Sequence, residues 1–338
     1  MWSNPPSRSL GNTIVQAGGT GSADHQRQLS RLGARFLLRA ARIVALTIDR
    51  DLITALVALG IVRANLAPLF ADPELAARYA AADAIPPDSL RRPVSIYAVA
   101  KATGIPYETV RRHVRKLQGD GLCLAVEGGI ILPTSTIEGP GYQRALTETW
   151  EALTQFVADA AVTGLHGRGA LRMDVPDARR EALRQTMTFF LEGLERSAQA
   201  LGLETLSVLI LRYVTNANVQ HLITDLELGR QYASLDAVPP DELRRAVSVY
   251  AVGKALLVPY ETVRRHAKLL VERGYLERRG DGGLIMPERV LHRPEFVRGT
   301  SDFADLTQAF LDRLAEIGLP PRIEAAAASD QAAATSPV

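Results

Sequence analysis

One cysteine, four lysines and six histidines in 338 residues set the first limits on what this chain does. A lone Cys123 excludes an intrachain disulfide and a cysteine zinc cluster. The histidines show no metal-ligand spacing, so no metal is expected. No phosphate-cradling glycine loop, nucleophile elbow or carboxylate pair stands out, so the expectation is a non-enzyme with no cofactor. The most apolar run, Leu52 to Val62, is 11 residues long and follows Asp49, Arg50 and Asp51. A membrane-spanning helix needs about 20 apolar residues, so no membrane partner is expected. The start, Met1-Trp-Ser-Asn-Pro-Pro, lacks the basic-then-apolar order of a secretory signal, which points to the cytoplasm. Net charge is only +2, neutral evidence on a polyanionic partner.

What the chain does have is a repeat. Residues 86–117, PPDSLRRPVSIYAVAKATGIPYETVRRHVRKL, align with residues 239–270, PPDELRRAVSVYAVGKALLVPYETVRRHAKLL, at an offset of 153, with 22 of 32 positions identical. The register runs upstream without a gap, pairing Ala64-Asn65 with Ala217-Asn218, Tyr79 with Tyr232 and Phe36 with Phe189. One residue is inserted near position 280, after which Gly129-Ile-Ile-Leu-Pro133 aligns with Gly283-Leu-Ile-Met-Pro287, and Gly164-Leu165 with Gly318-Leu319. Two copies at this period are too few and too long for a solenoid and fit two similar domains. The division is a disordered tail at 1–28, a first unit at 29–165, a linker at 166–180 (most clearly HGRGALRMDVPDA, 166–178), a second unit at 181–322 and a disordered tail at 323–338.

Within a unit, apolar spacing predicts helices over 29–46, 50–70 and 143–162, the last with a counterpart at 302–316. The helix at 50–70 is apolar nearly all round and so buried on more than one face. Between them, Ser95 to Thr103 reads as a short helix, Gly104-Ile105-Pro106 as a tight turn, and Tyr107 to Gln118 as a second helix started by Pro106. Leu122–Val126 and Ile130–Leu132 read as strands around Glu127-Gly128-Gly129. Helix, tight turn, helix, hairpin is the order of a winged helix-turn-helix. The fold class is therefore mainly α with small β-hairpin wings, as two tandem winged helix-turn-helix domains related by internal duplication.

Placing Val110, Val114 and Leu117 inward turns Glu108, Arg111, Arg112 and Arg115 outward, with Thr109 and Lys116 flanking. The second copy presents Tyr260, Glu261, Thr262, Arg264, Arg265 and Lys268 in the same pattern. An arginine-rich helix face suits the major groove, where the guanidinium fork meets guanine O6 and N7, or a phosphate. Residues 91–118 and 244–271 together carry +11, leaving −9 on the rest of the chain, so basic charge is concentrated on the two copies.

The run Ser95-Ile-Tyr-Ala-Val-Ala-Lys-Ala-Thr-Gly-Ile-Pro-Tyr-Glu-Thr-Val-Arg-Arg-His-Val-Arg-Lys-Leu, with Gly121 and the Gly-Gly hairpin behind it, resembles the winged helix-turn-helix of IclR-type and MarR-type bacterial regulators. The resemblance covers about 40 residues of each unit. It implies that the helices from Tyr107 and Tyr260 are recognition helices and that the hairpins at 122–132 and 275–286 are wings. The partner it implies is double-stranded DNA, in the nucleoid, with two similar half-sites read by a pseudo-dimer. Further homo-oligomerisation and a small-molecule effector carry no sequence signal. A replication initiator, a DNA-architecture protein and a winged-helix protein–protein module are the other readings.

Several side chains carry particular expectations. Glu108 and Glu261 either interact with the helix dipole or accept from a cytosine amino group. His113 and His266 are read as packing or phosphate contacts, and Tyr97 and Tyr250 as core. Asn65 and Asn218 either bond across a helix pair or serve a local structural role. Arg278 and Arg279 give the second wing a phosphate-binding edge that Leu124-Ala-Val-Glu-Gly-Gly lacks. Leu257 replaces the turn glycine Gly104, which predicts a different second turn if the position requires positive φ.

Overall fold

The computed structural model describes residues 25–47, 51–81, 83–168, 179–223, 225–280 and 282–319. The expected tails at 1–24 and 323–338 and the linker stretch 169–178 lie outside them. In the first half, α1 (Gln26–Thr47), α2 (Leu52–Ala71) and α3 (Pro73–Arg78) lead to α4 (Ile96–Thr103) and α5 (Tyr107–Gly119), then β1 (Leu124–Val126), β2 (Gly129–Ile131), α6 (Thr134–Glu138) and α7 (Pro140–Val162). The second half follows the same order: α8 (Arg179–Leu201), α9 (Thr205–Ile223), α10 (Leu226–Gln231), α11 (Val249–Leu256), α12 (Tyr260–Glu272), β3 (Glu277–Arg279), β4 (Gly283–Ile285), α13 (Glu288–Leu291) and α14 (Pro294–Glu316). The described chain is thus mainly helical with two small antiparallel hairpins.

Several boundaries differ from the sequence expectation. Helix α1 starts inside the expected tail because Arg27 is buried and its Nε donates to Ser234 O at 3.1 Å. Helix α8 starts at Arg179, inside the expected linker. Helices α7 and α14 begin at Pro140 and Pro294, three and eight residues earlier than their apolar stripes suggest. Proline at a first helical position costs no hydrogen bond and its φ is already helical, so both helices start at the proline, and in α14 the first turn already places Phe296 in the core. The short capped helices α3 and α10, where Asp72 accepts from Glu74 N and Leu75 N and Asp225 from Glu227 N and Leu228 N, have no counterpart in the sequence expectation.

Helices α1, α7, α8 and α14 form the centre. Gly33 lets α1 approach α14 closely, since a Cβ there would collide with Thr307 Oγ1. Phe36, Phe156, Phe189 and Phe310 come one from each helix; the Phe36–Phe156 and Phe189–Phe310 ring centroids are 4.8 and 4.5 Å apart, and Phe36 lies 6.1 Å from Phe189. One continuous hydrophobic core runs through both halves.

The contacts between the halves are reciprocal. Gln28 N donates to Ala233 O at 3.1 Å, and Glu181 N donates to Ala80 O at 3.2 Å. Arg27 Nε reaches Ser234 O, and Arg180 Nε reaches Ala81 O at 3.0 Å. Each bond becomes its partner when the offset of 153 is applied and the halves are exchanged. Such an exchange is the mark of an isologous, two-fold contact.

Helix α2 alone among the described helices is long and apolar enough to cross a membrane. Here it packs against α1, α4, α5 and β2, which accounts for its apolar character on every side. Its buried Asn65 settles the two readings of that residue. Asn65 Nδ2 donates to Arg92 O and Ile130 O at 2.8 and 3.1 Å, and its Oδ1 accepts from Leu132 N at 3.0 Å. Asn218 repeats all three bonds with Arg245 O, Leu284 O and Met286 N. The amide ties α2 to the hairpin and to Arg92, two residues before Val94, which itself bridges Ile130. It makes no bond across a helix pair. Asn65→Ala would leave the buried Leu132 N and the part-buried Arg92 O without this partner, while Ile130 O keeps its bond from Val94 N, so urea unfolding should show a loss of about 1–3 kcal/mol. A loss under about 0.5 kcal/mol would contradict the assignment.

Candidate nucleic-acid interface

Each α4-type helix opens with a serine cap: Ser95 Oγ accepts from Ala98 N, and Ser248 Oγ from Ala251 N. Each closes in the left-handed region, Gly104 at φ 63° and Leu257 at φ 54°. The expected difference between the two turns is therefore absent. Leucine adopts the conformation at a cost of about 1–2 kcal/mol, offset in part by packing its side chain against the core. Gly104 has a second constraint, because a Cβ there would meet Thr205 Oγ1 at 2.7 Å. Pro106 and Pro259 then set nearly identical entries to α5 and α12, with φ −53° and −54°.

Val110, Val114 and Leu117 face the core, as do Val263, Ala267 and Leu270. Outward on α5 stand Tyr107, Glu108, Arg112, Arg115 and Lys116, with Thr109 and Arg111 half-buried. Outward on α12 stand Tyr260, Glu261, Arg264, Arg265 and Lys268, with Thr262 half-buried. The residues singled out on each helix therefore share one face.

Glu108 and Glu261 stand in the first turns of α5 and α12, as the helix-dipole account requires, and each also makes an ion pair that neither sequence account included. Arg111 Nη2 lies 2.7 Å from Glu108 Oε2, and Arg264 Nε 2.8 Å from Glu261 Oε2. Exposed pairs of this kind contribute about 0–1 kcal/mol, so they open readily to a competing anion. Lys116 faces Asp51 at 3.5 Å and Lys268 faces Glu272 at 3.7 Å. Among the described residues, Arg112, Arg115 and Arg265 form no ion pair.

Two expectations fail here. Tyr97 and Tyr250 are 69% and 67% exposed, not core. With Val99, Ala100 and Thr103 inward, positions 97 and 101 share the outward face of α4, so Tyr97 stands beside Lys101; Tyr250 and Lys254 repeat the arrangement on α11. The helical period carries this information, while the aromatic character of tyrosine points the other way. Conversely, Arg91 and Arg244, counted in the basic segments, have fully buried side chains paired with Asp88 and Asp241. The outward cations of those segments are instead Arg92, Arg245, Lys101 and Lys254 with the α5 and α12 side chains.

The hairpins differ as their sequences suggest. Strand β1 exposes Leu124, Ala125 and Val126, whereas β3 exposes Arg278 and Arg279. Arg279 Nη2 lies 3.1 Å from Asp241 Oδ2, and Arg278 Nη1 donates to Gly282 O at 3.1 Å.

The outward faces of α5 and α12 are rich in arginine. Cys123 is buried, and burial pushes its thiol up to about 11, far from a usable thiolate. Among the described residues no cluster of His, Cys, Asp and Glu could hold a metal ion. No protein-family model, curated protein or solved structure matches the chain.

His113 and His266 fix the helices from behind. Both are buried; His113 Nδ1 lies 2.7 Å from Thr54 Oγ1, and His266 Nδ1 2.8 Å from Ser207 Oγ. They are packing groups, not phosphate contacts. Burial pushes both imidazoles below their ordinary value, although Asp51 pulls His113 back in part. The unfolded chain takes up these protons near pH 6.5 while the folded chain resists, so stability is present above about pH 6.5 and falls as pH drops below it. The melting temperature should fall between pH 7.5 and 5.5, and less steeply in His113→Gln/His266→Gln. Equal slopes for the two proteins would contradict this.

Proposed function

We propose that the chain is a regulator that binds double-stranded DNA sequence-specifically, through two winged helix-turn-helix readers derived from one duplicated unit. The observation that carries this reading is the pair of outward, arginine-bearing helices, alike in sequence and in exposure, on halves joined by reciprocal contacts. A major groove admits one α-helix, and Arg112 and Arg265, free of ion pairs among the described residues, present forks suited to guanine edges. Arg115 reads beside Arg112. Arg111 and Arg264 exchange their glutamate partners for DNA, which leaves Glu108 and Glu261 beside the base edges, where a cytosine amino group is the donor that matches them. Tyr97, Lys101, Tyr250 and Lys254, together with Tyr107, Thr109, Lys116, Tyr260, Thr262 and Lys268, approach phosphates and fix register rather than sequence.

A two-fold relation between the readers calls for an inverted-repeat site, with half-site centres about 34–36 Å apart. Recognition helices of nearly the same sequence call for similar half-sites. The proposed readers share a rigid core, so spacing between half-sites is constrained as in a dimer although a single chain supplies both.

The affinity test uses fluorescence anisotropy on duplexes selected from a random pool. Arg112→Ala/Arg265→Ala should weaken binding to the selected duplex by at least tenfold, since each bidentate arginine contributes about 1–3 kcal/mol of discrimination, and should relax base preference at two symmetric positions. Affinity and preference left as in the parent protein would refute the reader assignment.

Salt dependence separates the wings. Arg278→Ala/Arg279→Ala should reduce the slope of log affinity against log salt by about 1–2, roughly one unit for each phosphate that is no longer neutralised. Leu124→Ala/Val126→Ala should leave the slope unchanged. A slope unaffected by the arginine changes would remove the second wing from the interface.

A further inference from the structure

The two halves enclose equivalent spaces of unequal size. Between α1, α2 and α7 of the first half and α8 of the second lies a cavity of about 490 Å³, with Val44, Leu59, Val62, Met187 and Phe190 along its apolar wall. Applying the repeat offset to its lining gives the residues around the corresponding space of the second half, which measures about 130 Å³. Three positions account for much of the difference. Arg212 stands where the first half has Leu59; its guanidinium lies 3.7 Å from the Phe303 ring centroid and donates to Ser197 Oγ at 2.5 Å. The counterparts of Phe303 and Ser197 are Thr149 and Val44, so the first half lacks all three members of this plug.

One end of the larger cavity is polar and cationic. Arg180, itself buried, donates from Nη1 to Tyr142 Oη at 2.8 Å. That hydroxyl belongs to the first half alone, because Phe296 takes its place in the second. Burial keeps the Tyr142 phenol protonated, against the opposing pull of Arg180 and Arg91, so its hydrogen remains available for donation. Behind it the buried Arg91 has an Nη1 with no hydrogen-bond partner. Arg144 and Arg184 also line the space, against a single carboxylate, Glu181, which is paired with Arg184. A buried anion is tolerated only where hydrogen-bonded cations meet it, and this end supplies them; a cation would be repelled.

We propose that the larger cavity, between the first half and α8, binds a small carboxylic acid with an apolar tail, its carboxylate toward Tyr142 and Arg180 and its tail along Leu59, Val62 and Phe190. The volume falls in the range of about 300–1,000 Å³ usual for ligand pockets, with a mostly apolar wall and a few convergent polar groups. The second half fills the same space with its own guanidinium and takes no ligand. This site stands whether or not α5 and α12 read DNA.

The test is calorimetric titration and thermal shift of the full chain with decanoate, decanol and decylamine, all below their aggregation concentrations. Decanoate should bind saturably at one site per chain, at least tenfold more tightly than decanol, and decylamine should not bind. Val44→Ser/Leu59→Arg/Thr149→Phe, which transplants the plug, should abolish binding. Tyr142→Phe keeps the residue found in the second half and should bring decanoate down toward decanol. Absence of saturable decanoate binding, two sites per chain, decanol binding as tightly as decanoate, or a folded plugged variant that binds normally would each overturn the proposal.

Discussion

The close packing of four long helices around Phe36, Phe156, Phe189 and Phe310 is the constraint on which the rest of the molecule depends. Each ring comes from a different helix, and Phe36 and Phe189 occupy matching positions of the repeat. Aromatic pairs contribute about 0.5–1.5 kcal/mol beyond their buried area, and the geometry they require fixes how one half sits on the other. The reciprocal bonds of Arg27 and Arg180 close the same contact at its edge. Because α2 and α9 pack on this centre and carry α5 and α12 in turn, the orientation of the two outward helices follows from the core rather than from the linker.

Position by position, the repeat makes much of this legible in advance. The order of helix, turn, helix and hairpin, the inward stripe of Val110, Val114 and Leu117, and the outward arginines all follow from apolar period and punctuation. What period does not carry is tertiary. Nothing local reveals that the amide of Asn65 spans from α2 to a hairpin 65 residues away, or that Arg91 turns inward to Asp88. Tyr97 shows the opposite failure, where the period is informative and residue type misleads. Helices α7 and α14 start ahead of the expected positions because each begins at a proline, a boundary that helix-start rules describe better than hydrophobic period does.

Differences between the halves are as informative as their likeness. Leu257 holds the left-handed conformation of Gly104, so the turn is dictated by its surroundings and survives a costly residue. The hairpins diverge at their exposed edges while their buried strands β2 and β4 stay apolar. Arg212 closes a space that Leu59 leaves open. The shared architecture is kept at the helices proposed to read DNA, and the divergence falls on the hairpins and the interior cavities.

The central claim is that both outward helices engage one duplex together, under two-fold symmetry. Hydroxyl-radical footprinting of the full chain on a duplex selected from a random pool tests it most directly. The account predicts two protected patches on one face of the DNA, one helical turn apart, over half-sites in inverted orientation. Protection of a single half-site, or of two in direct repeat, would contradict it.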